Sequence, residues 1–165
     1  KATTPADFKA WVDSQFDPSV TWKDIAWLRS TWDGKLIITG VLSADDARAA
    51  TRAGADAVII SNHGGRQLDG VSSSITMLPR IVEACGDDVE ILMDGGVRSG
   101  LDVAKALALG AKAALIGRPW VYALAGKGQA GLEAMLQTMK AELDVAMALT
   151  GTTRVADITA DILDR

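Results

Sequence analysis

The rhythm of apolar and polar positions changes near residue 33. Before it, Phe8, Trp11 and Val12, then Trp22, Ile25 and Leu28, recur at spacings of one helical turn. That pattern predicts two helices, Pro5 to Phe16 and Thr21 to Arg29, separated by the break Asp17-Pro18-Ser19. Thr4 is placed to cap the first helix, and Pro5 takes its first helical position. From Asp33 onward, short apolar runs alternate with helical patterns. Leu36 to Ile38 (ending at Thr39-Gly40), Ala57 to Ile60, Glu90 to Met93 and Ala113 to Ile116 read as strands. Between them lie a helix capped by Ser43 and running through Ala53, another over Ile75 to Cys85, and a third over Leu101 to Leu109. Pro79 is expected to bend the second or restart it one turn in. After Gly117-Arg118-Pro119 a short helix is expected to Ala125, a flexible joint over Gly126 to Gly131, and a long amphipathic helix over Leu132 to Leu149. Its stripe of Leu132, Met135, Leu136, Met139, Leu143 and Met147 reads as core. In the polar tail, Ile158 and Ile162 can dock.

Strands recurring every twenty residues or more, with a helix between each pair, make the βα repeat of a parallel sheet. Glycine together with Arg or His follows the second, third and fourth strands. Chemistry gathered at several strand ends is the mark of a TIM (β/α)8 barrel. The alternative, a doubly wound open sheet, normally carries its glycine fingerprint after the first strand. A barrel needs about 250 residues, and this chain has 165. The expectation is therefore an α/β chain supplying strands five to eight of a barrel and its C-terminal helices. Residues 1–32 would form a helical lead-in and residues 33–165 the C-terminal half of the barrel.

Composition narrows the setting. Nearly half the residues are hydrophobic, as in a globular domain, and the net charge of −4 disfavours nucleic acid as a partner. A single cysteine, Cys85, fits a reducing compartment. The N-terminus shows no signal-peptide pattern, and no apolar run has the length of a membrane span. A cytoplasmic location is expected, with peripheral contact at the inner face of the cell membrane left open. The chain opens on Lys rather than Met, so residue 1 is not expected to be the natural start. Four of the five tryptophans precede residue 33. Packing against something large accounts for them, with a membrane surface as the other reading.

The chemistry centres on Ser61-Asn62-His63-Gly64-Gly65-Arg66-Gln67-Leu68-Asp69, directly after a strand. His63, the only histidine, can take a proton near neutral pH. Arg66 can hold a carboxylate by paired hydrogen bonds. A structural histidine, and a surface ion pair between Arg66 and Asp69, are the plainer readings. Asp94-Gly95-Gly96-Val97-Arg98 and Gly117-Arg118 together outline a phosphate site, which barrels place after strands seven and eight. The plainer reading there is a local Asp94–Arg98 ion pair. No metal site is indicated.

At these residues the sequence resembles the FMN-dependent α-hydroxy-acid oxidising family, which includes glycolate oxidase, L-lactate dehydrogenase and mandelate dehydrogenase. The resemblance runs from Asp17-Pro18-Ser19 and Thr21-Trp22-Lys23-Asp24 through Ser61–Asp69, Asp94–Arg98 and Gly117-Arg118-Pro119, and on through Gly128-Gln129-Ala130-Gly131 into the last helix. The look is closest to the bacterial L-lactate dehydrogenases. It implies FMN as cofactor and a small 2-hydroxy acid, lactate first, as substrate. It makes His63 the catalytic base and Arg66 the carboxylate clamp. Asp94, Gly95, Gly96, Val97, Arg98, Gly117 and Arg118 would hold the ribityl chain and phosphate, with Ser61 beside the flavin. It also implies that the active-site tyrosines, and the aspartate that partners the histidine, lie on strands before residue 1. A mobile active-site loop would come just before that residue. A companion N-terminal fragment and a homo-oligomer are thus the expected partners. Two alternatives stay open: another phosphate-binding barrel enzyme, and an isolated or engineered half barrel without turnover.

One position departs from the family pattern. Thr39 stands where the family has a lysine that stabilises negative charge on the reduced flavin. Losing a hydrogen bond to a charged group is worth about 1.5–3 kcal/mol. Bound FMN is therefore expected to be harder to reduce, or the reaction to be impaired or diverted, with a handicap of about tenfold or more. A flavin midpoint potential no lower than in lysine-bearing relatives would refute this.

Overall fold

The computed structural model describes residues 4–163; the outer ends of the two expected ranges, 1–3 and 164–165, lie outside them. Local capping chemistry starts most of the helices. Helix α1 (Pro5–Gln15) follows Thr4, whose hydroxyl accepts the Asp7 N–H while the Asp7 carboxylate takes the Thr4 N–H. The same reciprocal device, Ser99 with Asp102, opens α5 (Gly100–Ala108), while at α2 (Trp22–Thr31) the Asp24 carboxylate accepts both the N–H and the hydroxyl of Thr21, each at 2.7 Å. Ser43 caps α3 (Ala44–Arg52) by accepting the Asp46 N–H at 3.0 Å.

Strands β1 (Ile37–Val41), β2 (Ala57–Ile60), β3 (Glu90–Met93) and β4 (Ala113–Ala114) form one sheet in the order β1-β2-β3-β4, every pair parallel. The order never reverses, so right-handed crossovers carry the connecting helices to one side. The burial confirms it. Val58, Ile60, Ile91 and Met93, alternating along their strands, are buried with Ala47 and Ala50 of α3, Leu78, Ile81 and Cys85 of α4 (Ser74–Cys85), and Ala106 of α5. The other face is wet: Ile37 is 47% exposed, Leu115 36%, and Thr39 is exposed. A doubly wound sheet would cover both faces.

Several elements depart from expectation. Strand β1 continues through Gly40 to Val41, with a register break between Thr39 and Val41. Strand β4 pairs over two residues only, rather than the expected Ala113 to Ile116. Helix α4 is continuous across Pro79, with no restart; the missing N–H costs one backbone hydrogen bond there. The joint expected over Gly126 to Gly131 narrows to two residues of α6 (Arg118–Leu149). Lys127 and Gly128 leave helical geometry, Gly128 at φ 58°, a value glycine adopts freely. Gly131 is instead a contact point, where a Cβ would fall 2.3 Å from the Ala123 carbonyl oxygen. In the amphipathic stripe, Met139 packs against the central core while Leu136 stays 49% exposed. In the tail Ile158 is buried, as expected.

The lead-in contributes nothing to the core. Neither α1 nor α2 has a buried residue, and Phe8, Trp11, Phe16, Trp27 and Trp32 are all more than half exposed. Polar bonds hold α2 instead. Arg29 donates to Asp56 at 3.1 Å, to the Gly34 carbonyl at 2.9 Å and to the Trp32 carbonyl. Asp56 also takes Lys35 at 2.8 Å and the Leu36 N–H at 2.9 Å, and those bonds, Lys35 first, hold its carboxyl below the usual range. Asp56→Ala is thus expected to free α2 while sparing the sheet. Faster limited proteolysis within residues 16–34, at a nearly unchanged melting temperature, is the outcome that checks it.

Candidate functional site

The loops after β2, β3 and β4 converge on one cleft of about 470 Å³, within the roughly 300–1,000 Å³ usual for small-ligand sites. His63, Gly64, Arg66 and Gln67 line it from the first loop, Asp94 to Arg98 from the second, and Leu115 to Pro119 from the third. Two of the residues singled out from the sequence stand elsewhere. Thr39 lies exposed on the open face of the sheet. Ser61 is fully buried behind the histidine loop.

That loop is built around an unusual backbone. His63 has φ 50°, the one positive value among the described non-glycine residues. A left-handed histidine costs of order 1 kcal/mol or more and persists only when its surroundings fix it. Here they do. The Ser61 Oγ accepts the His63 N–H at 3.0 Å, and the Asn62 Oδ1 accepts the Gly64 N–H at 3.0 Å. Asn62 in turn donates its N–H to the Oγ of buried Ser74 at 3.2 Å. Gly95 packs behind both; a Cβ there would fall 2.8 Å from Asn62 Oδ1 and from Ser74 Oγ. The histidine ring lies against Gly40 of β1, where a Cβ would come within 2.7 Å of Nε2.

The cleft carries unspent charge. Arg66, Arg98 and Arg118 form no ion pair among the described residues. Asp69 accepts the Gly70 N–H at 2.9 Å rather than pairing with Arg66. Arg118 donates to the Gly64 carbonyl at 3.3 Å, which ties the third loop to the first. Asp94 Oδ1 is buried without a hydrogen-bond partner among the described residues. Such an atom calls for a donor. The start of α5 is already occupied. Asp102 accepts the Arg98 and Ser99 N–H groups, both at 3.0 Å, and the Ser99 hydroxyl at 2.9 Å. Burial works to raise the Asp102 pKa, but those bonds outweigh it and hold the carboxyl below its usual range. Helix α6, by contrast, begins at Gly117 with no side-chain cap, leaving its first N–H groups for an anion.

Sequence reading gave no role to Asn62 and Gln67, although both lie in the stretch it singled out, and it missed Ser74 and Gly40 as parts of the site. Asn62, directly before His-Gly-Gly, was open to notice as a turn-forming side chain. Ser74 gives no signal within Ser72-Ser73-Ser74.

A parallel α/β sheet with three cations and an unpartnered carboxylate oxygen at its strand ends suits an anionic, hydroxyl-bearing ligand. The chain belongs to the FMN-dependent dehydrogenase family, whose profile matches residues 1–165. FMN is that family's cofactor. The L-lactate dehydrogenase of Xanthomonas axonopodis pv. citri is 54% identical over 159 residues, which is 96% of this chain and 41% of that protein. That of Azorhizobium caulinodans is 53% identical over 163 residues, 99% of this chain and 43% of the relative. Among solved structures, a mandelate oxidase is 45% identical with TM-score 0.82, over 86% of this chain and 43% of that one. An (S)-mandelate dehydrogenase described as a monotopic membrane protein is 40% identical with TM-score 0.90, over 98% of this chain and 43% of that one. The chain thus spans about two fifths of the length of the relatives it matches. No helix among the described residues is long and apolar enough to cross a membrane.

Gly40→Ala would drive a methyl group against the His63 ring at a positive φ of 86°. It is expected to cost about 1 kcal/mol or more and to shift the ring resonances of His63. Unmoved histidine signals in labelled protein would count against that contact.

Proposed function

We propose that the protein bearing this chain oxidises an L-2-hydroxy acid, lactate first, to the 2-oxo acid with FMN. In this reading the chain supplies strands five to eight of a (β/α)8 barrel, residues 33–165 forming its C-terminal half and residues 1–32 a helical lead-in. The observation that carries it is the shared cleft. His63 and Arg66 line the same cavity as the Asp94–Arg98 loop and Gly117-Arg118.

The residues present fit FMN. The buried Asp94 Oδ1 without a donor suits a ribityl hydroxyl. Arg98, Arg118 and the uncapped start of α6 suit the phosphate. FMN, when bound, supplies the two-electron acceptor. Arg66 binds the substrate carboxylate and fixes its orientation, and His63 takes a proton from the substrate on an imidazole nitrogen. Ser61 acts through the His63 backbone, holding the turn that aims the ring. Thr39, on the open face, would offer the flavin one neutral hydrogen bond in place of a charged one. Completing the site falls to the N-terminal portion of the barrel. Assembly as a homo-oligomer, and peripheral contact with the inner face of the cell membrane, belong to the same reading; the likeness to the monotopic dehydrogenase supports the second.

The test is an absorbance spectrum of the complete protein followed by anaerobic L-lactate, with mandelate and glycolate next. A flavin band that bleaches with one of them supports the reading, and absence of flavin on reconstitution overturns it. His63→Gln is expected to lower kcat by about 10²–10⁴-fold, the usual worth of a general base. Arg66→Leu is expected to raise KM about tenfold or more, the worth of hydrogen bonds to a charged group.

A further inference from the structure

The two arginines assigned to the phosphate stand on different elements, and the sheet joins those elements by a short ladder, flanked by the Lys112 N–H to Ile91 carbonyl bond at 2.7 Å and the Leu115 N–H to Met93 carbonyl bond at 2.8 Å. Arg98 lies just before α5, and Arg118 opens α6. Strands β3 and β4, which lead to them, pair only at Leu92–Ala113 and Met93–Ala114. A second tie runs through the helices. Gly100 lets the start of α5 lie directly on the backbone of α6; a Cβ there would fall 2.2 Å from Met139 O and Leu143 N. At that contact the Gly100 N–H donates to Glu142 Oε2 at 2.8 Å, across 42 residues of sequence. Among the described residues it is the one hydrogen bond joining the two helices. On the near side, Asp102 holds the Arg98 N–H. On the far side, the two arms of α6 are locked where Gly131 abuts the Ala123 carbonyl.

A continuous path therefore links the cations: Arg98 to Gly100, Gly100 to Glu142, Glu142 along α6 to Gly131, and Gly131 to the arm that begins at Arg118. We infer that Glu142 is a positioning residue for the FMN phosphate, setting the separation of Arg98 and Arg118 from a place outside the cleft. The inference rests on the FMN reading above. Charge has a part in it as well. With Asp102 and, from α6, Glu142 accepting the N–H groups at the start of α5, that helix end is closed to a phosphate, which is left to the uncapped end of α6.

The test compares FMN with riboflavin, which lacks only the phosphate, on the complete apoprotein by quenching of flavin fluorescence. Glu142→Ala is expected to weaken FMN about tenfold and riboflavin less than about twofold, and Glu142→Gln, which keeps an acceptor oxygen, to retain most of the FMN affinity. Should Glu142→Ala fail to fold, Glu142→Asp shortens the reach by one methylene and is read on the same ratio. Equal weakening of both ligands, or an unchanged FMN affinity, overturns the inference alone. A wild-type protein that binds no FMN overturns it together with the function proposed.

Discussion

A parallel strand reaches its neighbour only by a crossover, and crossovers of this kind turn right-handed. Because β1 to β4 add in sequence order, that rule leaves little freedom. All connecting helices fall on one face, and all loops that follow a strand open at one end. The histidine loop, the Asp-Gly-Gly loop and the Gly-Arg loop meet for that reason, although His63 and Arg118 are far apart in sequence. Adjacency of β2, β3 and β4 then does the rest. The Arg118 bond to the Gly64 carbonyl closes the circuit between the first loop and the third.

Within this frame the cleft is assembled from back to front. Ser74 and Asn62 form a polar layer behind the histidine turn, with Gly95 packed against both, so the turn is held by two side chains that do not line the cavity. Ser61 belongs to this layer. Among the described residues the three arginines in front form no ion pair, whereas elsewhere Arg29, Arg48 and Arg154 are paired. Unpaired cations gathered at one place carry a repulsive cost that a bound anion relieves.

Much of this was legible beforehand. Ala57–Ile60 and Glu90–Met93 form strands where their apolar runs predicted. The residues after the last three strands line one cavity, as strand-end logic required. What escaped depends on partners distant in sequence. Three glycines lie near the bend of α6, and only Gly128 takes the left-handed backbone; Gly131 was set by the Ala123 carbonyl. The aromatic spacing of α1 and α2 marks a helical face correctly, but no spacing says what will cover it, and here it stays exposed. Glu142 looks like one more surface charge on an amphipathic helix until Gly100 is placed beneath it.

The wet face of the sheet has a thermodynamic meaning. Ile37, Ile59, Leu92 and Leu115 point away from the helices, and among the described residues no helix is laid over them. Apolar surface of that kind yields its free energy, and its heat-capacity change, only when something else removes it from water. The sheet therefore holds a reserve of stability that is realised only when another surface covers it.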